Sequence, residues 1–557
     1  MAFQVSPGIV TREIDLTTII PNVSTSIGAI VIAANKGPAN WIVNIGNEQE
    51  LSDTFGKPDD TVASSWFSAR NFLQYAGALR VVRAIDETAA KNASDTTGVL
   101  IDNDDVWVNN MPTATGIFAA RSPGVWGNSI KVSVCPGSGS VFTGWTHEAL
   151  FDAAPGTSQY ATDNGGANDE MHVVVLDEDG GITGVAGTVL ETFANLSKAA
   201  DGKSVTGEVT YYKEKLFRSS EYIYWTAHST ATSGAAWGAN ANGSTWLSSE
   251  AVTELSMAGG LDGTYPTNGD FNEGWTLFSD ADTVDVNLLV AGPGDATHAQ
   301  NVMNIADARK DCICFISPES SDVVGVTSTA TQTTNVKGYF DALNSSSYTV
   351  FDSGYKYQYD NYNDVFRWIP LNADLAGCCA NTDDVADPWF SPAGMNRGNI
   401  KSVTRLAFNP KKADRDTLYK ARINPVVTFP GTGTMLFGDK TAQTKASAFD
   451  RINVRRLFIV LEKAISIASR AQLFELNDEI TRSNFVAMTE PFLRDIQGRR
   501  GITDFKVVCD TTNNTGDVID RNEFRADIYV KPARSINFIT LTFIATRTGV
   551  SFSEVGA

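Results

Sequence analysis

The strand–helix–strand order of residues 284–316 constrains this chain more than any other feature. Val284–Ala291 (VDVNLLVA) is an apolar strand segment, Ala296–Lys310 has the spacing of a helix, and Cys312–Ile316 is a second short apolar strand. Two strands joined through a helix lie parallel, with a right-handed crossover. The same alternation appears earlier. Residues 25–34 (TSIGAIVIAA) read as a strand ended by the turn Asn35-Lys36-Gly37-Pro38, Ser64–Tyr75 as a helix stopped at Gly77, and Leu79–Ile85 as a strand. Residues 8–16 alternate with period two, with Val10, Ile14 and Leu16 on one face and Arg12 between them.

The middle of the chain has a different texture. Residues 136–256 are rich in Gly, Ser, Thr, Ala and Asn. Residues 172–185 predict a strand running into a hairpin turn at Asp179-Gly180, and Tyr211–Thr226 predicts further strands. The last segment predicts two long helices. The first, 451–474, carries the stripe Ile452, Leu457, Leu461, Ala464, Ile465 and Ala468; the second, 478–497, carries Ile480, Phe485, Met488, Phe492 and Ile496. Strands are expected at Asp504–Cys509, Glu523–Lys531, Ser535–Thr546 and Gly549–Val555.

Charge excludes some functions. The chain has 44 Lys and Arg against 64 Asp and Glu, a net charge of −20, which argues against coating nucleic acid. The imbalance is uneven: residues 401–557 carry 24 basic and 17 acidic side chains, net +7, so residues 1–400 carry 20 and 47, net −27. No run of 18 apolar residues predicts a membrane span, and the first residues lack the pattern of a secretory signal. The six cysteines (Cys135, Cys312, Cys314, Cys378, Cys379, Cys509) show no C-x-x-C spacing and read as buried thiols of a reducing compartment.

A search for catalytic or cofactor chemistry comes up empty. Gly292-Pro293-Gly294-Asp295-Ala296-Thr297 sits where a dinucleotide loop belongs, but Thr297 replaces the third glycine and no acidic residue follows at the ribose position. Gly433 to Gly438-Asp439-Lys440-Thr441 nearly matches a phosphate loop, with a carboxylate inserted before the lysine. His147, His172, His228 and His298 have no metal-site spacing. Asp280, Asp282 and Asp285 lack the glycine and terminal glutamate of a calcium loop, and Asp102, Asp104 and Asp105 read as a solvated acidic turn. No catalytic, cofactor or metal residue is assigned.

Several segments, in order, resemble one family. Ser6-Pro7-Gly8-Ile9-Val10-Thr11-Arg12-Glu13 is similar to an opening S-P-G-V-Y-x-x-E, and Ser122-Pro123-Gly124-Val125-Trp126-Gly127-Asn128 to S-P-G-x-W-G-N. Ile423-Asn424-Pro425 through Gly433, Gly438 and Thr441 is similar to an I-N, G-x-G and W-G-x-R-T series, with Phe437 and Lys440 as departures. Arg451 to Leu457 (RINVRRL) resembles an I-N-V-R-R-L helix start. The ordered set resembles the tail sheath proteins of contractile-tailed bacteriophages.

That resemblance implies a structural subunit, not an enzyme, that polymerises as stacked hexameric rings around a tail tube and contracts to drive the tube through the host envelope. It implies partners: further copies of itself, the tube protein, and baseplate and terminator proteins, with no direct nucleic acid, membrane insertion or cofactor. It places the protein in the virion tail, assembled in the host bacterial cytoplasm. The expected fold is a multi-domain mixed α/β chain. It has an N-terminal strand arm (1–20), the first part of an α/β core (21–95), a β-rich inserted, outward-facing region (96–258) and an α/β domain (259–350). A connecting region (351–400), an inner C-terminal α/β domain with helices packed on a sheet (401–545) and a C-terminal arm (546–557) complete it. The expected inter-subunit strand residues are Val10, Arg12, Ile14, Leu16, Thr548, Val550 and Phe552. The candidate tube-facing cations are Arg455, Arg456, Arg499 and Arg500, the first two with an internal ion pair as the alternative. Competing expectations are the sheath of a bacteriocin or secretion apparatus, an α/β nucleotide-binding enzyme built on 284–316, and an adhesin-like module at 136–256.

Overall fold

The computed structural model describes residues 23–110, 116–228 and 234–537. The two terminal arms, and most of the strand expected at Ser535–Thr546, lie outside them. The chain divides into a larger unit, Ser24–Pro388 with Pro392–Arg455, and a smaller one that includes Val23, Trp389–Ser391 and 456–537.

The larger unit is built on a seven-stranded sheet. Strand β1 (Gly28–Ala33) is buried along its whole length, as a central strand covered on both faces must be. Antiparallel β2 (Val43–Ile45) closes one edge against β3 (Leu79–Ala84), which is parallel to β1 through helix α1 (Ala63–Leu73).

The chain then leaves the sheet to build the inserted region. A two-stranded sheet pairs β4 (Phe118–Ala120) with β8 (Ile223–Trp225). A four-stranded antiparallel sheet has the order β7 (Thr188–Ser197), β6 (Glu170–Asp177), β5 (Ile130–Cys135), β9 (Thr253–Ser256). This region has its own core, with Trp225, Trp237 and Trp246 among its buried side chains. Two expectations change here. Tyr212–Ser219 is a helix, α2, not a strand: Tyr212 and Leu216 point inward four residues apart, and the charged Lys213, Glu214, Lys215 and Arg218 lie between and beyond them. The Asp179-Gly180 hairpin is a longer loop, because the Asp177 carboxylate gathers the backbone N–H groups of Gly180, Ile182 and Thr183.

The chain returns through α3 (Asn268–Thr276), whose N-terminus is closed by a reciprocal Thr267–Asp270 capping box. Strand β10 (Leu288–Val290), helix α4 (Ala296–Arg309) and β11 (Ile313–Ile316) form the expected parallel βαβ unit. Strand β12 (Thr349–Asp352) extends the sheet, and β13 (Tyr355–Asp360) and β14 (Val365–Pro370) form a separate hairpin, joined by β15 (Arg405–Leu406). Helix α5 (Asn372–Val385) precedes β16 (Ile423–Asn424), and β17 (Val426–Phe429) pairs with β18 (Gly433–Leu436).

The sheet order is β16-β12-β11-β10-β1-β3-β2. Ile30 of β1 lies opposite both Val290 and Val81, so residues 28–84 and 288–424 share one sheet. Residues 21–95, expected as the first part of a core, thus have their sheet partners within the segment expected as an α/β domain at 259–350, because β1 needs a partner on each side. For the same reason the expected connecting region at 351–400 is part of the fold, since β12 bridges β11 and β16. Helices α1 and α5 pack on one face and α3 and α4 on the other. The division into units falls at Arg455/Arg456, later than the expected boundary at 401.

Helix α6 (Ile452–Ser469) leads into the smaller unit, which also holds α7 (Glu479–Gly498) and the antiparallel pair β19 (Ile502–Val508) and β20 (Asp527–Pro532). Leu457, Leu461, Leu493, Ile496 and Ile502 pack around Trp389, and Ala464, Ile465, Phe485 and Met488 form a second cluster. Ile480, expected on the inner stripe, is 70% exposed in the first turn of α7. No disulfide joins the six cysteines, all of which are buried. Among the described residues no helix is long and apolar enough to cross a membrane.

Candidate functional site

The glycine loop after β10 is filled by the chain's own groups. Asp295 caps α4: one carboxylate oxygen accepts the His298 backbone N–H (2.9 Å) and the other the Asn268 side-chain amide (2.8 Å). The carboxylate therefore occupies the helix N-terminus that a pyrophosphate would need. His298 Nε2 lies 2.9 Å from the Ala291 carbonyl, Asn372 Nδ2 donates to the Gly292 carbonyl (2.7 Å), and burial pulls the His298 imidazole below its usual range. The acidic clusters are likewise spent locally. Asp280 accepts from Asp282 N and Thr283 Oγ1, and Asp104 accepts from Tyr224 OH and Arg121.

The second glycine-rich loop is a fastening point. Asp439 is 4% exposed, and its Oδ1 accepts from Arg451 Nη1 (2.9 Å) and Tyr419 OH (3.0 Å). Arg451 Nη1 also donates to the Tyr419 hydroxyl, which burial pushes up to about 12. Lys440 turns away from any phosphate position: Nζ donates to the Tyr419 carbonyl (2.8 Å) and lies 4.3 Å over the Tyr419 ring. On the other side, Asn424 of β16 exchanges two hydrogen bonds with the Lys440 backbone. Gly438 is required there, since a Cβ would lie 2.8 Å from Asn424 Oδ1. The Ile452 N–H donates to the Asp439 carbonyl (2.8 Å). Motif segments distant in sequence thus meet to tie the sheet edge to the first turn of α6.

Residues 122–128 form the root of the inserted region. Arg83, fully buried on β3, donates to the carbonyls of Ala34 (2.7 Å), Gly37 (2.7 Å) and Pro123 (2.8 Å), and burial lowers its guanidinium to about 10. Ser122 Oγ accepts from Gly37 N (3.0 Å), and Asn128 exchanges two hydrogen bonds with Gly260. Lys36 Nζ lies 5.1 Å from the Trp126 ring and 5.3 Å from that of Tyr222. Gly124, at φ +144°, approaches Asn35 too closely for any side chain: a Cβ would lie 2.4 Å from its carbonyl oxygen. The sequence reading missed Arg83 and Lys36. The signal was present for Arg83, because a cation inside the apolar strand LRVVRA has to find acceptors.

Of the four candidate surface cations, two are internal. Arg455 is 6% and Arg456 4% exposed. Arg455 lies against the rings of Tyr348 (4.3 Å) and Phe449 (4.0 Å) and donates to Ser347 Oγ (2.9 Å), and its charge acts on the Asp307 carboxyl. Arg499 and Arg500 are exposed; Arg499 lies 5.0 Å over Trp389, whose indole donates to the Arg499 carbonyl. Val10, Arg12, Ile14, Leu16, Thr548, Val550 and Phe552 lie outside the described residues.

The β19–β20 sheet is the surface most suited to another chain's strand. Among the described residues each strand pairs only with the other, leaving one edge of each open. Its inner face is set by Phe505, Val507, Ile528 and Val530 against the helices, and Tyr529 on the outer face is 60% exposed.

Comparison with known proteins agrees along nearly the whole chain. Residues 25–84 match the N-terminal region of domain III of the Gp18 tail sheath protein, residues 266–442 the phage tail sheath protein central domain, and residues 444–546 the phage tail sheath C-terminal domain. The chain is 35% identical to the tail sheath protein of Vibrio phage KVP40 and 34% identical to that of Enterobacteria phage T4, in each case over 99% of both chains. Among solved structures it resembles the sheath tail protein of Listeria innocua (TM-score 0.53, 12% identity, 92% of this chain and 96% of that one). It also resembles the helical sheath of the anti-feeding prophage in its contracted state (TM-score 0.51, 13% identity, 98% and 100%). At those identities the structural likeness is one of fold.

Proposed function

Because the chain belongs to the tail sheath protein family of contractile bacteriophages, we propose that it polymerises as stacked hexameric rings around a tail tube. The assembled sheath then shortens to drive that tube through the host envelope. The observation that carries the reading is the two-stranded β19–β20 sheet, in which, among the described residues, one edge of each strand is left unpaired. A neighbour's Gly8–Leu16 arm, presenting Val10, Arg12, Ile14 and Leu16, adds to one edge. The 546–555 arm, presenting Thr548, Val550 and Phe552, adds to the other. Each backbone hydrogen bond contributes about 0.5–1.5 kcal/mol net, so six of them supply several kcal/mol per contact. A mesh held by backbone pairing survives rotation of the subunits, and the work of contraction comes from the difference between two packings.

In this reading Arg499 and Arg500 face an acidic tube through contacts that salt screens and contraction breaks. The inserted region faces outward, baseplate and terminator proteins bound the polymer, and assembly takes place in the host cytoplasm. The high identity to phage sheaths favours a phage tail over a bacteriocin or secretion apparatus. The filled glycine loops give the enzyme reading no support. The test is deletion of residues 1–16. The variant should keep the circular dichroism and melting profile of the full chain and fail to sediment as polymer. Polymers of normal length from the deleted chain would refute the arm's role.

A further inference from the structure

The interior of the larger unit holds a lysine against an aspartate. Lys356 of β13 and Asp374 in the first turn of α5 are both fully buried, their side chains 0% exposed. Lys356 Nζ lies 2.8 Å from Asp374 Oδ1 and also donates to the Lys401 carbonyl (2.9 Å). The Tyr75 hydroxyl, just beyond α1, donates to the same Asp374 oxygen from 3.0 Å. That hydroxyl accepts the Lys401 N–H (2.7 Å), which leaves its single proton to Oδ1 and, at the longer 3.3 Å, to the Asn399 carbonyl.

As an ion pair this arrangement is poorly satisfied. A buried carboxylate needs hydrogen bonds at both oxygens to offset its lost hydration. Among the described residues Asp374 Oδ2 has no hydrogen-bond partner. Burial drives both groups towards neutrality: it pulls the Lys356 ammonium below its usual range and pushes the Asp374 carboxyl above its own. A desolvated neutral amine is a nucleophile, and a neutral carboxylic acid can release its hydroxyl as water. The oxygen without a partner is the one that such a reaction removes.

We propose that Lys356 and Asp374 join through an intramolecular amide bond. The Nζ lone pair attacks Asp374 Cγ, the N–C bond forms, and negative charge gathers on Oδ1, where the Tyr75 O–H is already aimed. One Nζ proton passes to the Oδ2 hydroxyl and the Cγ–Oδ2 bond breaks. One water leaves, and the step needs no oxidant, reductant or co-reactant. The two groups are held in contact beforehand, so no entropy is spent in bringing them together. The product keeps the partners of the starting groups. Oδ1 becomes the amide carbonyl and still accepts from Tyr75, the one remaining N–H still donates to the Lys401 carbonyl, and the unpartnered oxygen is gone. The bond closes a loop over residues 356–374 and staples the β13–β14 hairpin to α5, a constraint that acts on the unfolded chain as a disulfide does. It stands independently of the sheath reading.

The test is the mass of the purified full chain, reduced and denatured. Loss of one water predicts a mass about 18 Da below that of the sequence. Trypsin does not cut after a lysine whose charge acylation has removed. The digest should therefore contain residues 338–367 joined to 368–397 as one branched species, and lack the free peptides 338–356 and 357–367. Lys356→Met should return the chain to the full mass of its own sequence. A chain at its sequence mass that releases 338–356 would overturn the proposal and leave a buried ion pair only. A deficit of the same size that persists in Lys356→Met would put the dehydration elsewhere and overturn it too. The digest of the unaltered chain decides by itself, whether or not the variant folds.

Discussion

Removing the charge of Asp439 separates a fastening point from a phosphate loop. Its carboxylate is 4% exposed and holds Arg451 at 2.9 Å and the Tyr419 hydroxyl at 3.0 Å; the Arg451 side chain is 25% exposed. Breaking a fully buried ion pair costs about 3–5 kcal/mol, and an exposed pair contributes about 0–1 kcal/mol. With one partner buried and the other a quarter exposed, Asp439→Asn should cost about 2 kcal/mol. Arg451→Met should cost about 2–4 kcal/mol, because it takes the guanidinium away from a buried carboxylate. The double variant should cost less than the sum, with a coupling of about 2 kcal/mol. Urea unfolding followed by tryptophan fluorescence reads all three, and Lys440→Ala, which loses one hydrogen bond and a ring contact, serves as the milder control. Coupling below about 0.5 kcal/mol would mean that the two residues act independently and would refute the network as the reason these motif segments meet.

Two further outcomes follow from buried groups. Asp352 is fully buried, and burial pushes its carboxyl to about 8, against about 3.9 unfolded. The folded chain therefore holds a proton that the unfolded chain releases. Stability from this group is complete below pH ~4, declines as pH rises and levels off above pH ~8. Asp352→Asn should consequently gain on the unaltered chain from pH 5 to pH 8 in urea midpoint, and a constant difference across that range would contradict the assignment. Arg83→Met leaves the three carbonyls at Ala34, Gly37 and Pro123 without their donor and should cost about 3–5 kcal/mol. Limited proteolysis should then cut first where the inserted region leaves the sheet, and an unchanged digestion pattern would show that Arg83 is not its clasp.

Periodicity carried much of the fold. The stripe of α6 and the β10–α4–β11 unit are visible in residues 284–316 and 452–468 because each depends on neighbours in sequence. Helix α2 was misread because Tyr211, Tyr212 and the run Tyr222–Trp225 have strand propensity, and only packing shows that Tyr212 and Leu216 share one helical face. The joining of 28–84 to 288–424 in one sheet was invisible for a different reason. It depends on Ile30 meeting Val290 across the inserted region, and no local pattern records that pairing. The same holds for Arg455, which looked like a polar helix position until Tyr348 and Phe449 supplied its surroundings. In the glycine loops the sequence signals were Thr297 in place of a third glycine and the inserted Asp439; that Asp295 caps α4 only the folded chain shows.

The central claim is that this chain builds a sheath. Electron microscopy of the purified full-length protein in negative stain, with no partner added, tests it most directly. The account predicts long hollow tubes with helical striation. Dispersed single particles at every concentration, alone and with the tail tube supplied as a template, would contradict it.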